Sequence, residues 1–314
     1  MTGESNKIVS VIIVSAGAKE RLKLCLDSVA QQSYPDLAVT VIDNSGNPHF
    51  SQAIMEILPR AKVIPNPQER SYTKALNLGI TASAGDFVLC LNDDVVLDKN
   101  FIKEALKGFS SGVKIGAVGG KILRMDGHTI DSTGLYLSFW RTAKERGYSC
   151  VDKGQFGKEG LIFGVSGAVA FYRRRMLEEI KESGGYFDPG FHFFYEDLDI
   201  AWRANRAGWK SYYIPTAVAY HVRGASARGA SGRDKPFARR FLNDALYLDL
   251  IRNRYLAIIK NESLTGFLLH FPAMVLYDIF SWGHCLISRP RLLRKFFMNL
   301  QDIKKALRKR IREK

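Results

Sequence analysis

Two apolar runs constrain this chain more than anything else in it: Ile8–Val14 (IVSVIIV) and Asp86–Leu91 (DFVLCL). A strand with one wet face alternates apolar and polar residues. A strand that stays apolar along its length is covered on both sides, as in a parallel sheet wrapped by helices. Between the runs the pattern alternates. Leu22, Cys25, Leu26 and Val29 share one helical stripe, and Ala38–Ile42 is a second strand that ends in Asp43-Asn44-Ser45. A short helix near Gln52–Leu58, a strand at Lys62–Ile64 and a helix over about Ser71–Ser83 follow. Strands and helices joined by short connections predict an α/β fold with a mainly parallel central sheet.

Beyond residue 112 the order loosens into short, glycine-rich strands up to residue 172. Gly184–Tyr195 (GGYFDPGFHFFY) reads as an aromatic loop, and Glu196–Ala207 (EDLDIAWRANRA) as an amphipathic helix with an acidic first turn. Trp209–Ile214 and Ala217–His221 read as two strands split by Pro215, and 224–235 as a flexible loop. From Pro236 the chain is expected to be helical. The expected division is therefore 1–235, with halves 1–111 and 112–235, and a C-terminal helical region 236–314.

Of the 314 residues, 46% are hydrophobic and 25% charged, enough to bury a full core and to exclude a disordered chain. The formal charge is +15, but Arg289–Lys314 holds eleven basic and two acidic residues, a net of +9. In that tail Leu292, Leu293, Phe296, Phe297, Leu300, Ile303 and Leu307 trace an apolar stripe along a cationic helix, the pattern of a helix lying on an anionic membrane. A nucleic-acid binder would instead spread its basic side chains along a groove or recognition helix, so no nucleic-acid partner is expected. The apolar stretch 267–288 is long enough to span a bilayer, but His270, Pro272, Asp278 and His284 interrupt it and argue against a simple span. Four scattered cysteines without a CxxC indicate neither disulfides nor a zinc site, and the polar start Met1–Lys7 lacks a signal-peptide core; both suit a cytoplasmic protein.

Three places can carry chemistry. Asn92-Asp93-Asp94 follows the fourth strand, at the carboxyl edge where open α/β sheets collect ligands. Two adjacent carboxylates there can hold a hard divalent cation and a ribose hydroxyl, although Asn and Asp serve equally well as turn and cap residues. Asp197, behind the aromatic loop, can act as a general base or simply be part of an acidic helix start. His221 ends a strand as a structural histidine or as a metal ligand through a neutral ring nitrogen. Asp43 lies on the same rim, again with a turn residue as the alternative.

Taken together, IVSVIIVS (Ile8–Ser15), VIDNS (Val41–Ser45), RSYTKALNLGI (Arg70–Ile80), GDFVLCLNDDV (Gly85–Val95), VSGAVAFYRR (Val165–Arg174), GGYFDPGFHFFYEDLDIAWRANRAGW (Gly184–Trp209), YIPTAVAYH (Tyr213–His221) and RNRYLAIIKN (Arg252–Asn261) resemble the family-2 inverting glycosyltransferases of GT-A fold, and among them bacterial rhamnosyltransferases of polysaccharide biosynthesis. The resemblance implies a nucleotide-sugar donor, met by Ser15, Asp43, Arg70, Lys74 and Asp93. It implies a divalent cation, Mn or Mg, on Asp94 and His221. It also implies Asp197 as catalytic base with Glu196 beside it, and an acceptor met by Ser166, Gly167, Phe193 and Tyr195. Where the family often has Tyr-Asn after the first strand, this chain has Ala16-Gly17. Arg223 or Arg228, in the loop after His221, would assist the leaving diphosphate. The implied acceptor is lipid-linked, and the enzyme peripheral on the inner face of the plasma membrane; a homodimer is left open. The alternative is a non-catalytic sugar-nucleotide binder, against which intact Asp94 and Asp197 speak.

Overall fold

The computed structural model of the chain describes residues 7–47, 49–67, 71–112, 114–222 and 242–298, with Gln301, Ile303, Ala306, Leu307 and Arg310 of the tail. Its first half runs β1 (Val9–Ser15), α1 (Lys19–Ala30), β2 (Leu37–Asp43), α2 (Phe50–Ile57), β3 (Lys62–Pro65), α3 (Tyr72–Thr81) and β4 (Phe87–Asn92). These strands pair in parallel in the order β3-β2-β1-β4. The sheet is wrapped on both sides, as the unbroken apolar runs require. Val9, Val11 and Ile13 of β1 pack with Leu22, Cys25 and Leu26 of α1, while Ile12 and Val14 pack with Ala75, Leu76 and Ile80 of α3. Burying each such side chain contributes about 1.5–3 kcal/mol. Gly79 lets α3 close on the sheet, because a Cβ there would lie 2.4 Å from Ile12 Cγ2.

The second half runs β5 (Val95–Leu97), α4 (Phe101–Gly108), β6 (Ile115–Arg124), β7 (Ile130–Ser132), β8 (Leu135–Leu137), β9 (Ala143–Glu145), β10 (Gly160–Ile162), β11 (Val169–Arg173), α5 (Arg174–Glu179), α6 (Glu196–Arg206) and β12 (Lys210–His221). Strand β11 joins β4 antiparallel and carries the sheet on through β6, β12 and β10. The fold is thus α/β with a mostly parallel central sheet. Two details differ from the sequence reading. At ten residues β6 is not short. The two strands expected around Pro215 are one, β12, whose register on β6 shifts between Ile214 and Val218; Pro215, which has no N–H to donate, falls in that irregular stretch.

Among the described residues three further helices follow: α7 (Asp244–Asn261), α8 (Leu264–Ser288) and α9 (Arg291–Met298). Leu256 and Ala257 of α7 pack on Leu198 and Trp202 of α6. On the other side Tyr247 and Ile251 of α7 meet Cys285, Leu292 and Phe296. Leu292 and Phe296 are therefore buried, which departs from the expectation that the tail's apolar stripe faces lipid. The interior of the protein takes these residues because α9 folds back against α7.

Candidate active site

Ser15, Asp43 and Asn92 end three neighbouring strands, with Ser15 opposite Asp43 and Val14 opposite Asn92. Parallel pairing sends all three to the same edge of the sheet. Ser15 Oγ donates to Asp93 Oδ2 at 2.6 Å. Burial lifts the Asp93 carboxyl above its ordinary range, the Ser15 hydrogen bond pulls it down and the Asp94 charge adds to the lift. Asp43 is buried and fully engaged. Its Oδ1 accepts from the Ser45 amide at 2.9 Å and its Oδ2 from Ser51 Oγ at 2.7 Å, so the turn reading and the rim position are both realised. Lys74 stands exposed in the first turn of α3, where its amide is capped by Ser71 Oγ. Arg70, Arg223 and Arg228, and the loop 224–235, lie outside the described residues.

Asp94 and His221, 127 positions apart in sequence, meet because β5 pairs antiparallel with the end of β12, Val95 opposite His221. Asp94 Oδ1 lies 3.1 Å from His221 Nε2, and His221 Nδ1 lies 2.8 Å from Asp131 Oδ2. All three side chains are buried. Burial alone would lower the histidine's pKa, but the two flanking carboxylates outweigh it and raise it to about 9. Among the described residues no group of three or more His, Cys, Asp and Glu side chains forms a metal cage. With a cation in place of the Nε2 proton, the donor set fits a Mg2+ or Mn2+ ion of the kind that keeps only one or two protein ligands and takes the rest from water and phosphate oxygens. Two ligand atoms 3.1 Å apart can share one such ion. A carboxylate on the far ring nitrogen is the usual orienting partner of a metal-binding histidine.

The expected base sits beside this rim. Asp197 Oδ2 accepts from the Gly167 amide at 3.1 Å. Tyr72 reaches the carbonyl of the same glycine at 3.5 Å and donates to Asn92 Oδ1 at 2.6 Å. This path joins Asp197 to the strand end that carries Asp93 and Asp94. Gly167 is pressed against both carboxylates of α6: a Cβ on it would lie 3.2 Å from Glu196 Oε1 and 3.3 Å from Asp197 Oδ2. Glu196 Oε2 is enclosed without a hydrogen-bond partner. Burial, with the Asp197 charge second, pushes the Glu196 carboxyl up to about 8.

The corner before α6 is strained. Phe194 and Tyr195 take left-handed φ of 67° and 70°, at about 1–3 kcal/mol each for non-glycine residues. Asn253 of α7 holds them there. Its Nδ2 donates to the Phe193 carbonyl at 2.7 Å and the Phe194 carbonyl at 2.9 Å. Arg252 caps the Gly190 carbonyl at 2.9 Å, and Thr73 of α3 caps that of Phe191 at the same distance. Phe193 is exposed and Tyr195 buried. Ser166 Oγ donates to Glu145 Oε1 at 2.9 Å, and Glu145 also accepts from Ser132. Asp131, Glu145, Tyr72 and Asn253 were missed as site residues. Asp131 follows the exposed His128 and carries no local signal of its own. For Asn253, the polar Arg-Asn-Arg run inside a helix signals buried bonding without saying to what.

An open, mostly parallel sheet with acidic strand ends and C-terminal helices is the GT-A glycosyltransferase architecture. In agreement, a mannosyltransferase from Pyrobaculum calidifontis, solved with GDP-Man and Mn2+, superposes over 99% of this chain and 89% of its own, with a TM-score of 0.51 and 16% identity. S. aureus TarS 1-349 superposes over 96% and 81%, with a TM-score of 0.60 and 15% identity. The chain belongs to the glycosyltransferases of family 2: the family described as "Glycosyltransferase like family 2" matches residues 6–239. It is similar to the N-acetylglucosaminyl-diphospho-decaprenol L-rhamnosyltransferase of Mycobacterium tuberculosis, at 25% identity over 72% of this chain and 78% of the relative. It is also similar to the poly-beta-1,6-N-acetyl-D-glucosamine synthase of Staphylococcus epidermidis, at 22% identity over 68% of this chain; here the match spans about half the relative's length, 49%. The chain is thus a glycosyltransferase related to rhamnosyltransferases and polysaccharide synthases.

Proposed function

We propose that this glycosyltransferase moves a sugar, with inversion, from a nucleotide-diphosphate donor to a hydroxyl of a lipid-linked saccharide in cell-surface polysaccharide synthesis, at the cytoplasmic face of the plasma membrane. The observation that supports the reading is the hydrogen-bonded path Asp197–Gly167–Tyr72–Asn92, which links the start of α6 to the strand end before Asp93 and Asp94. Ser15, Asp43, Asp93 and Lys74, with Arg70, bind the nucleotide. Ser166, Gly167, Phe193 and Tyr195 face the acceptor. Catalysis belongs to the unit 1–235, with 236–314 as its helical extension.

Asp197 takes the proton of the acceptor hydroxyl while that oxygen attacks the anomeric carbon opposite the departing diphosphate. Glu196, with its carboxyl raised to about 8, remains protonated beside it near neutral pH. A protonated Glu196 adds no second charge beside Asp197, which suits Asp197 to the role of base. A divalent cation held by Asp94 and His221 would offset the charge growing on the leaving diphosphate. Asp131 holds the histidine ring for that task. Rhamnose, from a TDP donor, is the proposed sugar, on the likeness to the mycobacterial L-rhamnosyltransferase.

A thermal-shift panel of nucleotide diphosphates and their sugars with Mn2+ identifies the donor, since a ligand of the native state raises Tm by mass action. Proton NMR of the product then reads the anomeric configuration. An inverted anomer is expected. Retention, or no stabilisation by any nucleotide diphosphate, contradicts the reading.

A further inference from the structure

Helix α8 is amphipathic in the reverse of the usual sense. A helix on a globular surface turns its apolar stripe inward and its polar face to water. In α8 the polar residues face the protein. Asp278 accepts from Arg254 at 2.6 Å, and His270 lies 3.0 Å from Arg141 Nη2. His284 lies 3.1 Å from the Tyr247 hydroxyl, and Trp282 donates to Tyr255 at 2.8 Å. Most apolar residues of α8 point away, Ala273, Met274 and Cys285 being the buried exceptions. Leu269, Leu276, Phe280 and Ile287 form one exposed row at spacings of 7, 4 and 7, with Leu268 and Ile279 beside it. Leu269 and Phe280 are each 70% exposed and Ile287 is 88% exposed. At about 1.5 Å per residue the helix is about 37 Å long, and a continuous apolar face of that extent marks an interaction site.

We propose that α8 lies flat in the surface of an anionic bilayer, its outer face sunk to the level of the upper acyl chains and the catalytic domain held above it. Charge selects this occupant. Arg291, Arg294 and Lys295 of α9 are exposed directly beyond the end of α8, and Arg289–Lys314 carries a net of +9. Because Leu292 and Phe296 turn inward, α9 offers the outside its cations. Basic clusters beside an apolar helical face suit anionic headgroups. A second copy of the chain fits less well, since the exposed rows form a wider face than the narrow seam a helix pair covers. The helix does not span. Its underside is tied to the domain from His270 to His284, and crossing would draw the Arg254–Asp278 pair into hydrocarbon.

The docking surface is separate from sugar transfer and does not depend on it. It bears on the acceptor through α7, which carries both Arg254, the anchor of α8, and Asn253, the brace of the aromatic corner. A bilayer under α8 therefore lies at a fixed orientation to the acceptor side of the site.

Flotation of the full chain with vesicles of phosphatidylcholine, alone or mixed with phosphatidylglycerol, tests this without donor or acceptor. Wild type is expected to float with the mixed vesicles and several-fold less with the neutral ones. Binding to mixed vesicles is expected to fall at least about tenfold in Leu269→Glu/Phe280→Glu. Both positions face solvent, and unchanged Tm and nucleotide-diphosphate binding keep the fold and the glycosyltransferase reading apart from this result. In Phe280→Trp, lipids brominated near the headgroup should quench the tryptophan more than lipids brominated at the chain ends. Absence of flotation, equal flotation of the double variant, equal binding to both vesicle types, or deeper quenching by chain-end bromines overturns the proposal. So does a wild-type dimer in light scattering that the double variant dissolves, with no vesicle binding, because the face then belongs to a second copy.

Discussion

Ser15, Asp43 and Asp93 stand at the ends of adjacent parallel strands, whereas Glu196 and Asp197 follow a corner in which Phe194 and Tyr195 both take left-handed backbone. The first arrangement needs little beyond strand order: parallel neighbours deliver their C-terminal residues to one edge, and short local bonds such as Asp43 to Ser45 settle the turns. The second is held by side chains from far along the chain, Asn253 and Arg252 of α7 and Thr73 of α3, each capping a loop carbonyl. The geometry of the proposed donor side is therefore built by topology and that of the proposed acceptor side by bracing. The two should respond differently to substitution.

Asn253→Ala should give the largest effect. Asn253 is fully buried, and its removal strands the Phe193 and Phe194 carbonyls, at about 2–4 kcal/mol of stability. Thermal unfolding measures that loss, and kcat should fall while donor binding persists. Intact kcat would break the comparison. Asp131→Asn comes next. It loosens the His221 ring, and Mn2+ affinity in a titration of the donor-free protein should drop about 10–100-fold.

A pH series sharpens the contrast from the acceptor side. The Glu196 carboxyl titrates near 8 in the folded state, above its ordinary 4.5, so between those values the folded chain holds a proton that the unfolded chain has released. Stability therefore falls as pH rises through that window. Glu196→Gln should remove this part of the slope and lift Tm by about 2–4 °C at the alkaline end relative to wild type. A parallel slope in the variant would assign the pH dependence elsewhere. The smallest effect should come from the donor side. Ser15→Ala loses one hydrogen bond to Asp93, with about 1 kcal/mol of stability and a several-fold rise in donor KM at constant kcat.

The same division explains what could be read in advance. The unbroken apolar runs of β1 and β4 announce a sheet buried on both faces, and the acidic ends of those strands announce a rim, because both are local patterns. Asp131 and Asn253 could not be placed that way. Their partners are 90 and about 60 residues distant, and nothing at either position marks the contact. The missing N–H of Pro215 predicts a break between two strands, and the register shift that accommodates it within one strand is not a local pattern. The tail showed a real apolar stripe but not which surface it meets: Leu292 and Phe296 close on α7, and the exposed face belongs to α8.

The central claim is that the Asp94 and Asp197 carboxylates serve one reaction, the first at the donor diphosphate and the second at the acceptor hydroxyl. Transfer rates and Mn2+ binding measured side by side in wild type, Asp94→Asn and Asp197→Asn test it most directly. The account predicts that Asp197→Asn binds Mn2+ and donor as wild type does yet transfers at least about a hundredfold more slowly, while Asp94→Asn loses both Mn2+ binding and transfer. Turnover by Asp197→Asn within a few-fold of wild type would contradict it.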